Sequence, residues 1–338
     1  MADTSKVTSN LSNTTGGSRD TPSPPPFLTN EEVKRHLHWN TLVPATETLF
    51  ANVSRHNELV IQPPRLIMPI SQQNAALLCM PAYLAEDNVL ACKVVTSFRN
   101  NAALGLPSIL ATVILFDGSN GGTKMIMEGT EITTWRTAAA SVAATKNLFR
   151  RIKDKDLVLA IMGSGVQAHI HAQAFMSYFS IKEIRIWNHR FAGAEALCKR
   201  LGDIAKPFPD KEECVKPADL IVTATYSPTP VVHYDWLKSD AHINAVGFGV
   251  SHHSELDENT YRKASVFVDS LDGAKQELKS LHEAGIKFTE VGAVINGTER
   301  VPPNGGVTVF QSLGMGGEDA ITAKLIFNDY MKHKNQGK

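Results

Sequence analysis

The run Leu157-Val158-Leu159-Ala160-Ile161-Met162 is apolar over the length of one strand and leads straight into Gly163-Ser164-Gly165-Val166-Gln167-Ala168. Residues 168–178 then read as a helix. A strand, a glycine turn and a helix in that order open a dinucleotide-binding βαβ unit. Gly163 permits the tight turn. Gly165 lets the backbone approach a pyrophosphate, which would rest on the helix N-terminus, where free N–H groups and the dipole favour anions. Ala168 stands where a small residue lets the helix pack closely on its strand. The glycine pattern also occurs in unrelated α/β turns, so its context carries the weight. A second strand, 183–187, follows and places Asn188 at the ribose-reading position.

The stretch Asn188-His189-Arg190 bears on which dinucleotide is bound. A carboxylate at its start would bond the free 2′-hydroxyl of NAD and repel a 2′-phosphate. None is present, and a guanidinium, which grips phosphate bidentately, stands two residues on. NADPH is the expected cofactor. NADH is the alternative if Arg190 is only a solvated turn residue.

Strands 219–225, 242–247 and 265–269 alternate with helical stretches, which predicts a doubly wound parallel sheet with helices on both faces. The part before it reads differently. Short apolar runs at 66–70, 75–80, 90–98, 109–116 and 124–127 are separated by turns such as Asp117-Gly118-Ser119-Asn120-Gly121-Gly122. That pattern predicts an antiparallel sheet. Residues 131–149, rich in alanine, predict a long helix. Thr29 and Glu32 form a capping box at an earlier one. The final stretch predicts a strand at 307–311 and a helix from 318 to about 332. Residues 1–26 are Ser/Thr/Asn-rich, end in a proline run and read as disordered. The chain is therefore α/β, with the nucleotide domain at 146–307 and a second α+β domain from 27–145 plus 308–338.

Composition excludes several functions. The net charge is zero over 338 residues, so a nucleic-acid partner has no electrostatic footprint. No apolar run reaches the length of a membrane span, and the N-terminal residues lack a signal-peptide core. Cys79, Cys92, Cys198 and Cys214 form no CxxC pair and no ligand spacing with histidines. They read as reduced, buried thiols of a cytoplasmic protein, and no metal site is expected.

Hydride chemistry asks the protein for cofactor orientation, a substrate anchor and a proton source. Arg65 opens a strand, Lys93 interrupts the apolar run 90–95, and Arg136 sits in an otherwise apolar helix. A charge in such a setting is costly unless it is paired or functional, although a long side chain can also snorkel to water. Three cations without evident acidic partners predict a carboxylate-binding pocket.

Eight segments in order, Gln62-Pro63-Pro64-Arg65, Met80-Pro81-Ala82-Tyr83, Lys93-Val94-Val95, Arg136-Thr137-Ala138-Ala139, the glycine turn, Ile186-Trp187-Asn188, Ile243-Asn244-Ala245-Val246-Gly247 and Phe310-Gln311-Ser312-Leu313-Gly314-Met315, resemble the ornithine cyclodeaminase/mu-crystallin family from Phe27 to the last helix. The resemblance implies a homodimer, with the second domain holding substrate and making the dimer. It implies a small-molecule carboxylate held by Arg65 and Arg136, with Ser108 near it and Lys93 as the active-site lysine. It places the cofactor on Gly163, Ser164, Gly165, Val166 and Gln167, on Asn188, His189 and Arg190, and along Thr223, Thr225, Val246, Ser312 and Leu313.

The departures narrow the activity. The cyclodeaminases carry a basic Asp soon after the strand ending at Gly247, where this chain has Phe248-Gly249-Val250-Ser251-His252-His253. Ornithine cyclisation is therefore not expected. The mu-crystallin branch has Asn-Arg-Thr at 188–190, Ser-His-Gln at 108–110 and Lys at 311, against Asn188-His189-Arg190, Ser108-Ile109-Leu110 and Gln311 here. His252 and His253 are candidate proton carriers, or ordinary loop residues. The expected activity is NADPH-dependent reduction of cyclic ketimines. The alternatives are an NADP(H)-regulated binder of a hydrophobic carboxylate such as thyroid hormone, and an amino-acid or opine-type dehydrogenase.

Overall fold

A computed structural model describes residues 24–56, 58–247, 253–303 and 305–336. The tail expectation for 1–26 lies mostly outside them. Within them, order is already present at Pro26, whose carbonyl accepts from Ile126 N at 3.0 Å.

The first sheet contains β1 (Phe27–Leu28), β2 (Val60–Ile61), β3 (Leu66–Ile70), β4 (Ala75–Leu84), β5 (Val89–Phe98), β6 (Ile109–Asp117) and β7 (Thr123–Glu128). Its order is β1-β7-β6-β5-β4-β2, with β3 also on β4. It is antiparallel as predicted, except that β1 pairs parallel with β7. Helices α1 (Asn30–Arg35), α2 (Trp39–Val53) and α3 (Thr130–Leu148) belong with it. The capping box forms: Thr29 Oγ1 accepts from Glu32 N and Glu32 accepts from Thr29 N.

The second sheet is parallel, in the order β10-β9-β8-β11-β12-β15-β13-β14. Its strands are β8 (Leu157–Met162), β9 (Ile181–Trp187), β10 (Ala205–Phe208), β11 (Leu220–Thr223), β12 (His242–Ala245), β13 (Ser265–Val268), β14 (Phe288–Glu290) and β15 (Thr308–Gln311). Helices α4 (Val166–Tyr178), α5 (Phe191–Leu201), α6 (Lys211–Val215), α7 (Glu258–Lys263), α8 (Leu271–Glu277), α9 (Lys279–Glu283) and α10 (Val291–Ile295) connect them. Every residue of β8 is buried, the mark of a parallel strand covered on both faces. Strand order reverses between β8 and β11, the crevice where doubly wound sheets take ligands.

The chain closes with α11 (Gly316–Gln336), which packs back on β4, β5 and α2 of the first sheet. The division expected at 307/308 needs correction. Residues 308–311 form β15, an interior strand of the nucleotide sheet, so the chain leaves that sheet only after Gln311. An apolar run of strand length does not announce which sheet it joins.

Helix α3 joins the two halves. It is buried along most of its length, so it is built from small residues such as Ala138, Ala139, Ala140, Ala143 and Ala144. Two of its buried polar groups are paired across the junction. Ser141 Oγ meets His171 Nε2 at 3.0 Å, and Thr145 Oγ1 accepts from Asn244 Nδ2 at 3.0 Å. Burial draws both His171 and His242 down, to about 4 and about 3, which marks them as neutral core histidines. The cysteine reading holds for Cys198 and Cys214, which are buried; Cys79 and Cys92 are half-buried with sulfurs 3.3 Å apart, and all four are free.

A second junction lies where α10 meets α2. A Cβ at Gly292 would collide with the Phe50 carbonyl oxygen. Gly292→Ala is expected to destabilise the fold by about 1–3 kcal/mol through overpacking. The midpoint of urea unfolding measures this, and an unchanged midpoint would mean that α10 can shift off α2 without loss.

Candidate active site

The nucleotide turn has the geometry its residues imply. Gly163 has φ +124°, and a Cβ there would stand 2.5 Å from the Ala224 carbonyl oxygen. Gly165 is the N-cap of α4 and supplies no side-chain cap, and a Cβ on it would meet nothing within 4 Å. The helix therefore begins at Val166, two residues before the predicted start, and no side chain caps its first N–H groups. At Gly193, a Cβ would lie 2.6 Å from Asn188 Nδ2 and 2.7 Å from Ser164 Oγ. The glycine turn and the end of β9 thus converge, bringing Ser164 and Asn188 to one crevice mouth, with Gln167 in the first turn of α4. His189 and Arg190 are exposed beside it, and Arg190 has no ion pair among the described residues. This open helix end with a free guanidinium at its rim fits a phosphorylated dinucleotide.

Thr223 and Thr225 lie at the end of β11, and both are held by a residue the sequence did not flag. Glu255 is fully buried, and its carboxylate accepts from Thr223 Oγ1, Thr225 Oγ1 and Thr225 N at 2.6 Å each and from Gly247 N at 2.8 Å. Burial raises its pKa despite these donors. Val246 N bonds Thr223 O at 2.9 Å, and Ser312 N bonds Ala245 O at 2.9 Å. The cofactor-side residues Thr223, Thr225, Val246, Ser312 and Leu313 therefore gather around the ends of β11, β12 and β15.

The basic residues arise from register. Leu66 pairs with Cys79, so Arg65 is level with Met80; Met80 pairs with Lys93, and Lys93 with Val113. Arg65 and Lys93 thus share one rung, two strands and roughly 10 Å apart. This face lies under α11. Arg136 enters from α3. Arg65 Nη2 donates to the carbonyls of Leu313 at 2.8 Å and Gly314 at 3.0 Å. Gly314 has φ +78°, and a Cβ on it would stand 2.6 Å from Arg136 Nη1. Both arginines therefore close on Gly314, immediately after β15.

The expectation that these cations lack acidic partners is wrong. Lys93 Nζ lies 2.8 Å from Asp319 Oδ2, and both residues are buried. Arg136 Nη1 lies 2.7 Å from Glu318 Oε2, with its Nε 3.5 Å from Asp319. Arg65 Nη2 lies 2.8 Å from Glu277 Oε1. The partners of Arg136 and Lys93 are 182 and 226 residues away in sequence, and nothing local to the cations reports them. The visible signal was an acidic pair opening the last helix, where the helix dipole also favours it.

Electrostatics divides the cluster. Burial lowers Lys93 to about 8, against the pull of Asp319. Burial raises Glu318 and Asp269. Asp269 Oδ2 accepts from Leu313 N at 2.8 Å and Gly314 N at 2.7 Å, fixing the loop that the arginines grip. Glu318 Oε1 and Asp269 Oδ1 are buried without hydrogen-bond partners among the described residues. The site thus has polar capacity left over for a bound molecule.

Other predicted residues fall elsewhere. Ser108 is not brought to the cluster within the chain. It precedes β6, its carbonyl accepts from Phe98 N at 2.8 Å, and it lies five residues along the strand from Val113, the partner of Lys93. His252 lies outside the described residues. His253 Nε2 meets Ser280 Oγ at 3.1 Å. Gln311, in place of lysine, is a satisfied core amide that accepts from Tyr261 Oη at 2.6 Å and donates to Ala245 O at 3.2 Å.

Comparison with known proteins agrees with this architecture. The model of the ornithine cyclodeaminase/mu-crystallin family matches residues 25–334. Mouse (Mus musculus) ketimine reductase mu-crystallin is 38% identical over 313 residues, covering 92% of this chain and 99% of that protein. Thermococcus litoralis Δ1-pyrroline-2-carboxylate reductase, solved with NADH and L-proline, has a TM-score of 0.82 at 31% identity, covering 91% of this chain and 98% of its own. An archaeal alanine dehydrogenase dimer with bound NAD has a TM-score of 0.81 at 29% identity, over 92% and 97% of the two chains. With a parallel nucleotide-binding sheet, a second sheet carrying the basic rung and a last helix that returns across it, the chain belongs to the ornithine cyclodeaminase/mu-crystallin family.

Proposed function

We propose that this protein is an NAD(P)H-dependent oxidoreductase that reduces the C=N bond of cyclic ketimine carboxylates, with NADPH preferred. The observation that carries this reading is the convergence of Arg65 and Arg136 on Gly314, with Lys93 on the same rung. Two guanidiniums on either side of one loop are an anchor for a small carboxylate. Held on the glycine turn and at Asn188, His189 and Arg190, the dinucleotide would supply the hydride for the imine carbon. The chain's residues supply the rest. Arg65 and Arg136 fix the substrate carboxylate, exchanging part of their contact with Glu277 and Glu318. Lys93, held by Asp319, carries the proton that the imine nitrogen needs. A group near pH 8 is suited to that transfer at neutral pH.

The reading includes a homodimer. The open face and edge of the first sheet leave Leu66, Ile67, Met68, Leu104, Leu106, Ile109 and Leu110 exposed, at 47–72% of their surface. Exposed apolar side chains of this kind are what a second copy would cover. Among the described residues, no helix is long and apolar enough to cross a membrane. Ile67→Glu is expected to turn the dimer into monomer in sedimentation velocity. A parent protein that sediments as monomer would remove the dimer from the proposal.

The activity is tested by NADPH oxidation over a panel of cyclic ketimine carboxylates. No turnover on any member, with NADPH binding retained, would overturn the reading. Lys93→Met should lower turnover by about two orders of magnitude or more while NADPH still binds. Because this variant leaves Asp319 without its closest partner, Lys93→Met/Asp319→Asn is the companion that removes both charges. In the parent, kcat/KM should fall as pH rises through about 8, where Lys93 loses its proton, and the variants should lack that limb. Parental rates in both would take Lys93 out of the chemistry.

Cofactor preference is tested at the rim. Removing one charge-assisted phosphate contact costs about 1.5–3 kcal/mol. Arg190→Ala should therefore weaken NADPH roughly ten- to a hundredfold and leave NADH nearly unchanged. Equal losses for both cofactors would return Arg190 to the role of a solvated turn residue.

A further inference from the structure

Three histidines surround one carboxylate well away from the basic rung. His36 ends α1, and His38 is the N-cap of α2. Asp329 and His333 are one turn apart on α11 and share a face. His36 Nδ1 lies 2.8 Å from Asp329 Oδ2, His333 Nδ1 lies 3.4 Å from it, and His38 Nε2 lies 3.6 Å from it. One donor atom from each of His36, Asp329 and His333 lies within 4.8 Å of the other two. Asp329 is ten residues beyond Asp319, about 15 Å along the helix, so this cluster is separate from the candidate active site.

The donor set has a definite chemistry. Two imidazoles and a carboxylate, with a third imidazole beside them, match the N and O ligands that zinc takes in tetrahedral sites. Among the described residues Asp329 has no lysine or arginine partner; its contacts are imidazoles only. An imidazole offers a lone pair only when neutral, and neutral imidazoles leave the carboxylate charge without a cation. A divalent ion supplies one. His333 Nδ1 also lies 2.8 Å from the Asp329 carbonyl oxygen, and the exposed ring turns to present a nitrogen to the ion. His38 is 49% and His333 64% exposed, so both rings are free to turn toward the carboxylate.

We infer that His36, Asp329 and His333, with His38 or water in the fourth position, form a Zn²⁺ site. The ion ties the turn between α1 and α2 to the last helix, and so braces the element whose first turn carries Glu318 and Asp319. Its role is structural, because it touches neither the basic rung nor the nucleotide turn.

The test uses the full chain without a polyhistidine tag, stripped with EDTA and titrated with ZnCl₂ by calorimetry, with MgCl₂ as control. One Zn²⁺ per chain should bind, and Tm should rise with Zn²⁺ but not with Mg²⁺. His333→Ala is the safest variant because the side chain is largely exposed. It should bind Zn²⁺ at least tenfold more weakly, lose the Tm rise and keep parental NADPH affinity. His36→Ala should behave in the same way. Absence of saturable Zn²⁺ binding in the parent would overturn the inference. So would equal Zn²⁺ affinity in His333→Ala and the parent, which would assign the ion to another site such as the Cys79–Cys92 pair.

Discussion

The buried charges at the first turn of α11 organise the rest of the molecule. Glu318 and Asp319 stand on the last helix, Lys93 on β5 and Arg136 on α3, and all four are buried. No member is tolerable alone, because an unpaired charge in such a place costs several kcal/mol. The helix must therefore return from the nucleotide sheet and dock by its N-terminus on the basic rung, where its dipole also favours the two carboxylates. That docking closes the first sheet and holds the Ser312–Met315 loop over it. The same need for pairing that secures the fold thus builds the site.

A charge cluster of this kind is also responsive. Arg136, Lys93 and Arg65 face Glu318, Asp319, Asp269 and Glu277. Burial moves Glu318 and Asp269 toward the neutral form and Lys93 toward the neutral amine. Under the proposed reading, a carboxylate arriving at the arginines would add an anion and make protonation of the acids easier still, which would couple substrate binding to proton supply through one network.

The nucleotide half meets this network through its strand ends. Glu255 binds the ends of β11 and β12 together through Thr223, Thr225 and Gly247. Asp269, just past β13, binds the loop after β15. Two buried carboxylates therefore fix the rim of the parallel sheet beside the basic rung. Neither belongs to the glycine turn, and each accepts from backbone N–H groups at these strand ends.

Elements with a local cause were legible in the sequence. The glycine turn, the strand before it, the capping box at Thr29 and the alanine-rich α3 depend on neighbours a few residues apart, and they appear as read. The same holds for the positions of Arg65, Lys93 and Arg136, since a charge in an apolar run is conspicuous wherever it folds. What those charges meet was not legible. Their acidic partners, the placement of β15 inside the nucleotide sheet, the capture of Thr223 and Thr225 by Glu255, and the gathering of His36, His38, Asp329 and His333 all join residues far apart in the chain. The sequence by itself determined the element types and which residues were too polar for their surroundings, because propensity and periodicity act over one or two turns. Only the tertiary structure decided the partners, because pairing a buried charge depends on which surfaces the whole chain brings into contact.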